Sequence, residues 1–274
     1  MTITHVMAPA GQRTLKIVFV TPDEPSVMPA FFAKVVPAVE ADVAAIAVVS
    51  PILKRSSWLS QAKRFADAFG RRELAVEALR FGAHRGAGAV RRIVPLGAHH
   101  SVKSVARAHG RPVWAPEDVN APEFLSRLRA LEPDLVISVS CPQIFREELL
   151  AIPRLGCINV HSALLPHYRG MLPTFWALAN GEEQTGVTVH YMSPGIDGGD
   201  ILLQRAIAIT PDETLRSLMG KTKAVAAELI LEAIAGFRHG PLEGSPNPPD
   251  EGSYFSFPTR EDVRRFKARG RRMR

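Results

Sequence analysis

The strongest constraint on how this chain can fold is a series of short apolar runs, rich in Val and Ile, separated by turn residues and helix-forming stretches. LKIVFV (15–20) is one such run and is ended by the turn-forming TPDEP; a helix is expected near 28–40, and ADVAAIAVVS (41–50) reads as the next strand. A strand, a helix and a second strand in that order imply a right-handed parallel crossover, with the sheet covered on both faces. PDLVISVS (133–140) is the best candidate for a central strand, and GCINVHS (156–162), TGVTVHYM (185–192) and ILLQRAIAI (201–209) add further strands. Helices are expected over 56–92, weakened in its second half by Gly82, Gly86 and Gly88, over 101–110 closed by Gly110, and over 121–131 with Pro122 in the first turn. Two more follow at PTFWALANG (173–181) and 211–237. The expected fold class is therefore α/β, with a mostly parallel sheet and helices on both faces.

The length of 274 residues suffices for one large domain, and 46% hydrophobic against 22% charged residues excludes disorder of the whole chain. The two cysteines, Cys141 and Cys157, have no CxxC partner and read as small buried hydrophobes in a reducing cytosol. Residues 1–14 read as a loose leader without a signal peptide, and no stretch approaches the roughly 18 apolar residues of a membrane span. A cytoplasmic location is expected. Charge is uneven: residues 260–274 hold eight Arg or Lys against Glu261 and Asp262, a net +6 of the chain's formal +7. Such an end can meet a polyanion or simply be solvated.

Three polar residues interrupt the strand pattern. Asn159 and His161 occur as INVH, and alternate residues of a strand project to one face. Asp197 lies in SPGIDGGD, a Gly-rich loop after TGVTVHYM. Open α/β sheets bind ligands in the crevice at the carboxyl ends of their strands, so all three can meet at one rim. Each alone has an ordinary explanation: a structural His, a turn-capping Asn, an Asp in an Asx turn.

The surrounding stretch GCINVHSALLPHYRGMLPTFWALANGEEQTGVTVHYMSPGIDGGDILLQ carries Asn-x-His, LLPxYRG, a helix ending in NGE, TGVTVHxM and GxDxGDIL in that order. It closely resembles the folate-dependent formyltransferase family, which includes glycinamide ribonucleotide formyltransferase, methionyl-tRNA formyltransferase and the sugar N-formyltransferases. The resemblance implies a Rossmann-like formyltransferase fold and transfer of a formyl group from 10-formyltetrahydrofolate to an amine, with no metal. It implies that the Asn159 amide and a His161 imidazolium stabilise the tetrahedral oxyanion while Asp197 holds the imidazolium and relays a proton. It also implies a pterin pocket walled by Pro142, Gln143, Ile144 and Phe145 on one side, and by Met192, Ser193, Pro194, Gly195 and Ile196 on the other.

Some features depart from the family pattern. Ala163 stands where a Ser is common, with Ser162 beside it; TPDEPS (21–26) replaces a phosphate-binding Gly-rich loop; and 56–92 has no counterpart. After Phe237 only 37 residues follow, too few for the β-barrel that methionyl-tRNA formyltransferases carry there. The expected organisation is a leader (1–14), a formyltransferase catalytic domain (15–237), then a Pro/Gly-rich linker with a short helix and basic tail (238–274). A small-molecule amine, such as an amino sugar nucleotide or an amino-acid derivative, is the favoured acceptor. Aminoacyl-tRNA comes second, water in a formyltetrahydrofolate hydrolase third, and an inactive scaffold on the same fold fourth.

Overall fold

The six residues of β1 (Ile17–Pro22) are buried without exception, as a strand must be when helices cover both faces of its sheet. In the computed structural model, which describes residues 13–50, 58–91 and 99–274, this strand lies at the centre of a seven-stranded sheet. The leader expected over 1–14 lies almost wholly outside the described residues. After β1 come α1 (Met28–Ala38), β2 (Val43–Val49), α2 (Trp58–Phe69), α3 (Arg71–Arg91) and α4 (Val102–Ala108). Next follow β3 (Val113–Trp114), α5 (Pro122–Leu131), β4 (Leu135–Val139), α6 (Glu147–Leu150), β5 (Cys157–His161) and β6 (Arg169–Gly170). The chain continues through α7 (Pro173–Asn180), β7 (Gln184–Tyr191), β8 (Ile201–Ala208), α8 (Leu215–Phe237), β9 (Tyr254–Phe255) and α9 (Arg260–Ala268).

The sheet order is β3-β2-β1-β4-β5-β7-β8, and its first five strands are parallel, the doubly wound Rossmann-like order. Alternation along the strands divides the core. Ile17, Phe19, Ile137, Ile158, Val160, Val187 and Val189 meet helices including α1 and α8, whereas Val18, Val20, Val136 and Cys157 meet Phe124, Leu128 and Leu149 of α5 and α6. Fold class and most elements follow the sequence expectation. Helix α8 begins at Leu215, not at Pro211, because Thr214 accepts a hydrogen bond from Ser217 N and Ser217 reciprocates, a capping box.

The last two strands of the sheet run the other way: β5–β7 and β7–β8 are antiparallel. The connection from β5 to β7 passes through α7, which has eight residues and packs against α8, α9 and β7. β7 starts beside the end of β5 and runs back along it, with His161 opposite Thr188 and Ile158 opposite Tyr191.

The C-terminal segment is docked along its length. Thr259 and Asp262 form a capping box, and Val263 and Phe266, three residues apart on one face of α9, pack with Phe175, Trp176 and Leu218. Beyond the helix, Leu215 N donates to Arg272 O at 2.9 Å, and Arg271 Nη1 donates to the carbonyls of Thr210 and Pro211. The basic residues at the end of the chain are thus the outer face of an amphipathic element whose apolar side the charge count concealed. Phe266 is fully buried and stacks on Phe175 with ring centroids 5.2 Å apart. Phe266→Ala is expected to lower unfolding free energy by about 3–5 kcal/mol in urea denaturation; a solvated tail would lose nothing.

Candidate functional site

The antiparallel register places Asn159 opposite His190 and His161 opposite Thr188, so four polar residues share one sheet face. This is the face on which Cys157 meets the α5–α6 cluster. The loop following β7 starts beside the beginning of β5, where Met192 N donates to Cys157 O at 2.8 Å, and folds back across the strand. Asn159, His161 and Asp197 therefore converge as the sequence suggests, but on the face of the β5–β7 pair. The meeting at a purely parallel carboxyl rim is corrected by the reversed strand.

Asp197 has φ of +49°, a left-handed conformation that Asp tolerates better than most residues. Its loop approaches β7 so closely that a Cβ on Gly199 would lie 2.1 Å from Tyr191 O; only glycine fits. The carboxylate is engaged from all sides. Gly170 N donates to Oδ2 at 2.9 Å and Asn159 Nδ2 to Oδ1 at 3.3 Å. His161 Nδ1 lies 3.5 Å from Oδ2, and His190 Nε2 lies 3.6 Å from Oδ1. Burial alone would raise its pKa, but His161, the His190 hydrogen bond and the Gly170 N–H outweigh it and hold the group at about 2. It is an anion throughout the neutral range.

His161 is buried at the end of β5, and its Nε2 is 2.7 Å from Tyr168 O. A carbonyl only accepts, so Nε2 carries the proton and Nδ1 faces Asp197. Burial pulls the His161 pKa below 6.5; Asp197 and the Tyr168 carbonyl pull it up, His190 and Lys223 push it down, and the net direction is down. His161 thus rests neutral near pH 7, not as the imidazolium the family resemblance implies, because desolvation exceeds the pull of the one carboxylate. Asn159 also differs from that expectation. His190 Nδ1 is 2.7 Å from Tyr191 O, and its Nε2 lies 3.2 Å from Asn159 Nδ2 and 3.6 Å from Asp197 Oδ1. The Asn159 amide is therefore engaged at rest, donating to Asp197 and lying against the His190 ring.

Other groups at the site gave less sequence signal. His190 sits inside the quoted strand TGVTVHYM, yet its face is known only from the antiparallel register. Arg169 is buried in the LLPHYRG loop, where Nε donates to Asp197 O at 3.2 Å and the guanidinium also reaches the carbonyls of Asn247, Pro248 and Pro249. Asn247 Nδ2 donates to Asp197 O and Gly199 O at 2.8 and 2.9 Å. Nothing in the Pro/Gly-rich sequence around Asn247 signals that role. Lys223 of α8 is buried and donates to Ser140 Oγ at 2.8 Å and Ser162 Oγ at 3.4 Å; burial holds its pKa down at about 8, against the pull of Glu24. The Ser162 hydroxyl is thus committed towards Lys223, and Ala163 lends its carbonyl to Thr188.

The expected pterin walls have mixed surroundings. The Phe145 side chain is core, 1% exposed, and Met192 packs against the same cluster. Gln143 is tied by Val119 N and Glu117 O, while Ile144 is 63% exposed and Ile196 48% exposed. Two uncovered aliphatic side chains thus stand on the loops carrying Pro142–Phe145 and Met192–Ile196, and they suit an apolar ring. Burial pushes both thiols up, Cys141 to about 12, so neither is a thiolate at neutral pH. No group of His, Cys, Asp and Glu among the described residues has metal-binding geometry. A surface cleft of about 680 Å³ at the opposite rim, among Arg13, Arg129 and Arg154, is crossed by ion pairs to Asp134 and Glu148 and holds none of these groups.

This constellation on a Rossmann-like sheet is that of a formyl-group transferase fold, and residues 83–234, more than half the chain, match the family model described as formyl transferase. The chain belongs to that family. It is 46% identical over 141 residues to the methionyl-tRNA formyltransferase of Geobacter metallireducens, covering 52% of this chain and 45% of that protein. The chain spans about half the length of the curated relatives it matches. Among solved structures, glycinamide ribonucleotide transformylase 1 of Symbiobacterium toebii superposes with a TM-score of 0.57 at 20% identity, over 82% of this chain and 89% of that one. WlaRD, a sugar 3N-formyl transferase solved with dTDP and 5-N-formyl-THF, gives 0.56 at 17% identity, over 89% and 70%.

The electrostatics make a pH prediction. His161 titrates below 6.5, and Asp197 is the group that pulls its pKa up. Asp197→Asn should therefore move the His161 titration to still lower pH in an NMR titration of the ring protons. An upward or absent shift would refute the coupling.

Proposed function

We propose that this chain transfers a formyl group from 10-formyltetrahydrofolate to a primary amine, and that the amine is that of an aminoacyl-tRNA of the methionyl class. The observation that carries the chemical part is a neutral buried imidazole whose Nδ1 faces a carboxylate held ionised at about 2, with an amide N–H on the same carboxylate. The acceptor rests on the names of relatives at 46% and 44% identity. Likeness to small-amine enzymes among the solved structures is at 21% identity or below and supports the fold alone. This reverses the ranking expected from sequence, where the small amine came first.

The amine nitrogen attacks the formyl carbon on N10, and a tetrahedral oxyanion forms. Nδ1 of His161 takes the proton that the attacking nitrogen sheds, and the imidazolium is then stabilised by Asp197. As Asp197 turns towards the new charge, one N–H of Asn159 is released to the oxyanion. Such a donor contributes about 3 kcal/mol to the transition state. Collapse breaks the bond from the formyl carbon to N10, and the His161 proton passes to N10, leaving a formamide and tetrahydrofolate. The loops carrying Ile144 and Ile196 hold the pterin. Residues 15–237 form the catalytic body and 238–274 complete its site. Among the described residues no helix is long and apolar enough to cross a membrane.

The test is direct: supply 10-formyltetrahydrofolate with methionyl-tRNA, amino sugar nucleotides or water alone, and follow tetrahydrofolate release and formyl-amine formation. His161→Ala should lower turnover by about 100-fold or more while folate binding persists. Wild-type turnover in that variant would sink the mechanism. Formylation of a sugar amine but not of methionyl-tRNA would restore the small-amine acceptor.

A further inference from the structure

The C-terminal segment ends in a stripe of charge that its own packing does not explain. Arg260, Arg264 and Lys267 recur at helical spacing on the exposed side of α9, opposite the buried Val263 and Phe266. Like charges three and four residues apart oppose helix formation, so the stripe is not there for the helix. Arg265 is paired with Asp262 and Arg274 with Glu73, but among the described residues no ion pair holds Arg260, Arg264 or Lys267. Beside α9 runs α2, and a groove of about 570 Å³ between them is lined by Lys63, Arg64, Asp67, Phe257 and Arg260. The Arg64 guanidinium lies 4.5 Å above the Phe257 ring, so the groove is cationic with an aromatic floor.

The same segment presents an aromatic ring to the reaction centre. Tyr254 is 57% exposed, although its neighbour Phe255 stacks between Tyr168 and Trp176. The Tyr254 ring lies against Gly170, so close that a Cβ there would be 2.7 Å from ring carbon Cε2. Gly170 is the residue whose N–H holds the Asp197 carboxylate. Met171 and Leu172, 42% and 36% exposed, continue this uncovered apolar patch. Only five residues lie between Tyr254 and Arg260, a span of at most about 20 Å of chain. A cationic track leading to an exposed aromatic face is the arrangement that binds single-stranded nucleic acid: cations follow phosphates, and the ring stacks on a base.

We propose that Tyr254, the Arg260–Arg264–Lys267 stripe and Lys63 and Arg64 of α2 form the docking surface for the single-stranded 3′ end of an RNA acceptor. The terminal base stacks on Tyr254, and the preceding phosphates run towards the α2–α9 groove. The aminoacyl group carried by that end then reaches His161. This rests on the aminoacyl-tRNA reading above and gives it a surface within this chain.

The test uses the full chain, deacylated tRNA, a short single-stranded RNA and an RNA duplex of matched length, with binding read by fluorescence anisotropy across a salt series. Wild type should bind tRNA and the single strand with steep salt dependence, and the duplex more weakly. Arg260→Glu, Arg264→Glu and Lys267→Glu combined should lose at least about tenfold in affinity, with a log–log salt slope shallower by about two, since each lost phosphate contact removes about 0.7. Arg264→Gln alone, at an exposed position, should lower the slope by about 0.7 and serves if the triple variant melts early. Tyr254→Ala should lose about tenfold with no change in slope, and Tyr254→Trp should restore it. The surface is overturned if wild type binds neither RNA, if the stripe variants keep wild-type affinity and slope, or if Tyr254→Ala binds as wild type. Deacylated tRNA cannot be formylated, so the two readings fail separately. RNA binding without formylation of any amine would overturn the reaction and leave the surface; small-amine formylation without RNA binding would do the reverse.

Discussion

A single buried carboxylate organises the site. Asp197 joins β5 through Asn159 and His161, β7 through His190, and β6 through the Gly170 N–H. An ionised group in so dry a place is tolerated only if its partners are complete, because removing one leaves an uncompensated charge. The loops around it are consequently over-determined. Gly199 is pressed against Tyr191 O, and the backbone of Asp197 itself is held by Arg169 and Asn247. The Arg169 guanidinium in turn spends its remaining donors on the carbonyls of 247–249, so the order of the carboxylate propagates into a segment fifty residues further along the chain.

Much of the parallel half of the fold was legible in the sequence because β1, β2 and β4 are buried apolar runs and helices such as α4 and α5 carry their own stop or start signals, Gly110 and Pro122. The two-residue β3 and the four-residue α6 carry no such pattern. Strand direction in the other half was not legible, since the apolar pattern of TGVTVHYM is the same whether its neighbour is parallel or antiparallel. Asn159, His161 and Asp197 were legible through strand spacing and family resemblance. Protonation was not, because it depends on how much water the fold removes from His161, a three-dimensional quantity. Arg169 and Asn247 act mainly through backbone carbonyls, which carry no residue signature.

The charge count also concealed a packing fact. Residues 260–274 contribute +6, yet Val263 and Phe266 are enough to anchor α9 to α7. A few buried apolar atoms outweigh many exposed charges in deciding where a segment goes, since exposed charges remain solvated wherever they lie. The charges then decide what the anchored surface meets.

The pairing of β6 with β9 joins residues 85 apart in sequence, Arg169 with Tyr254 and Gly170 with Phe255. A chain leaving the ribosome folds its N-terminal parts first. The strands carrying Asn159, His161 and His190 can thus pair while Asn247 and β9 are still inside the exit tunnel. During that interval the reactive side chains exist, but the backbone of Asp197 lacks the donor from Asn247, and Arg169 lacks its carbonyls. The backbone around Asp197 is completed only once the segment carrying Asn247 and β9 has emerged.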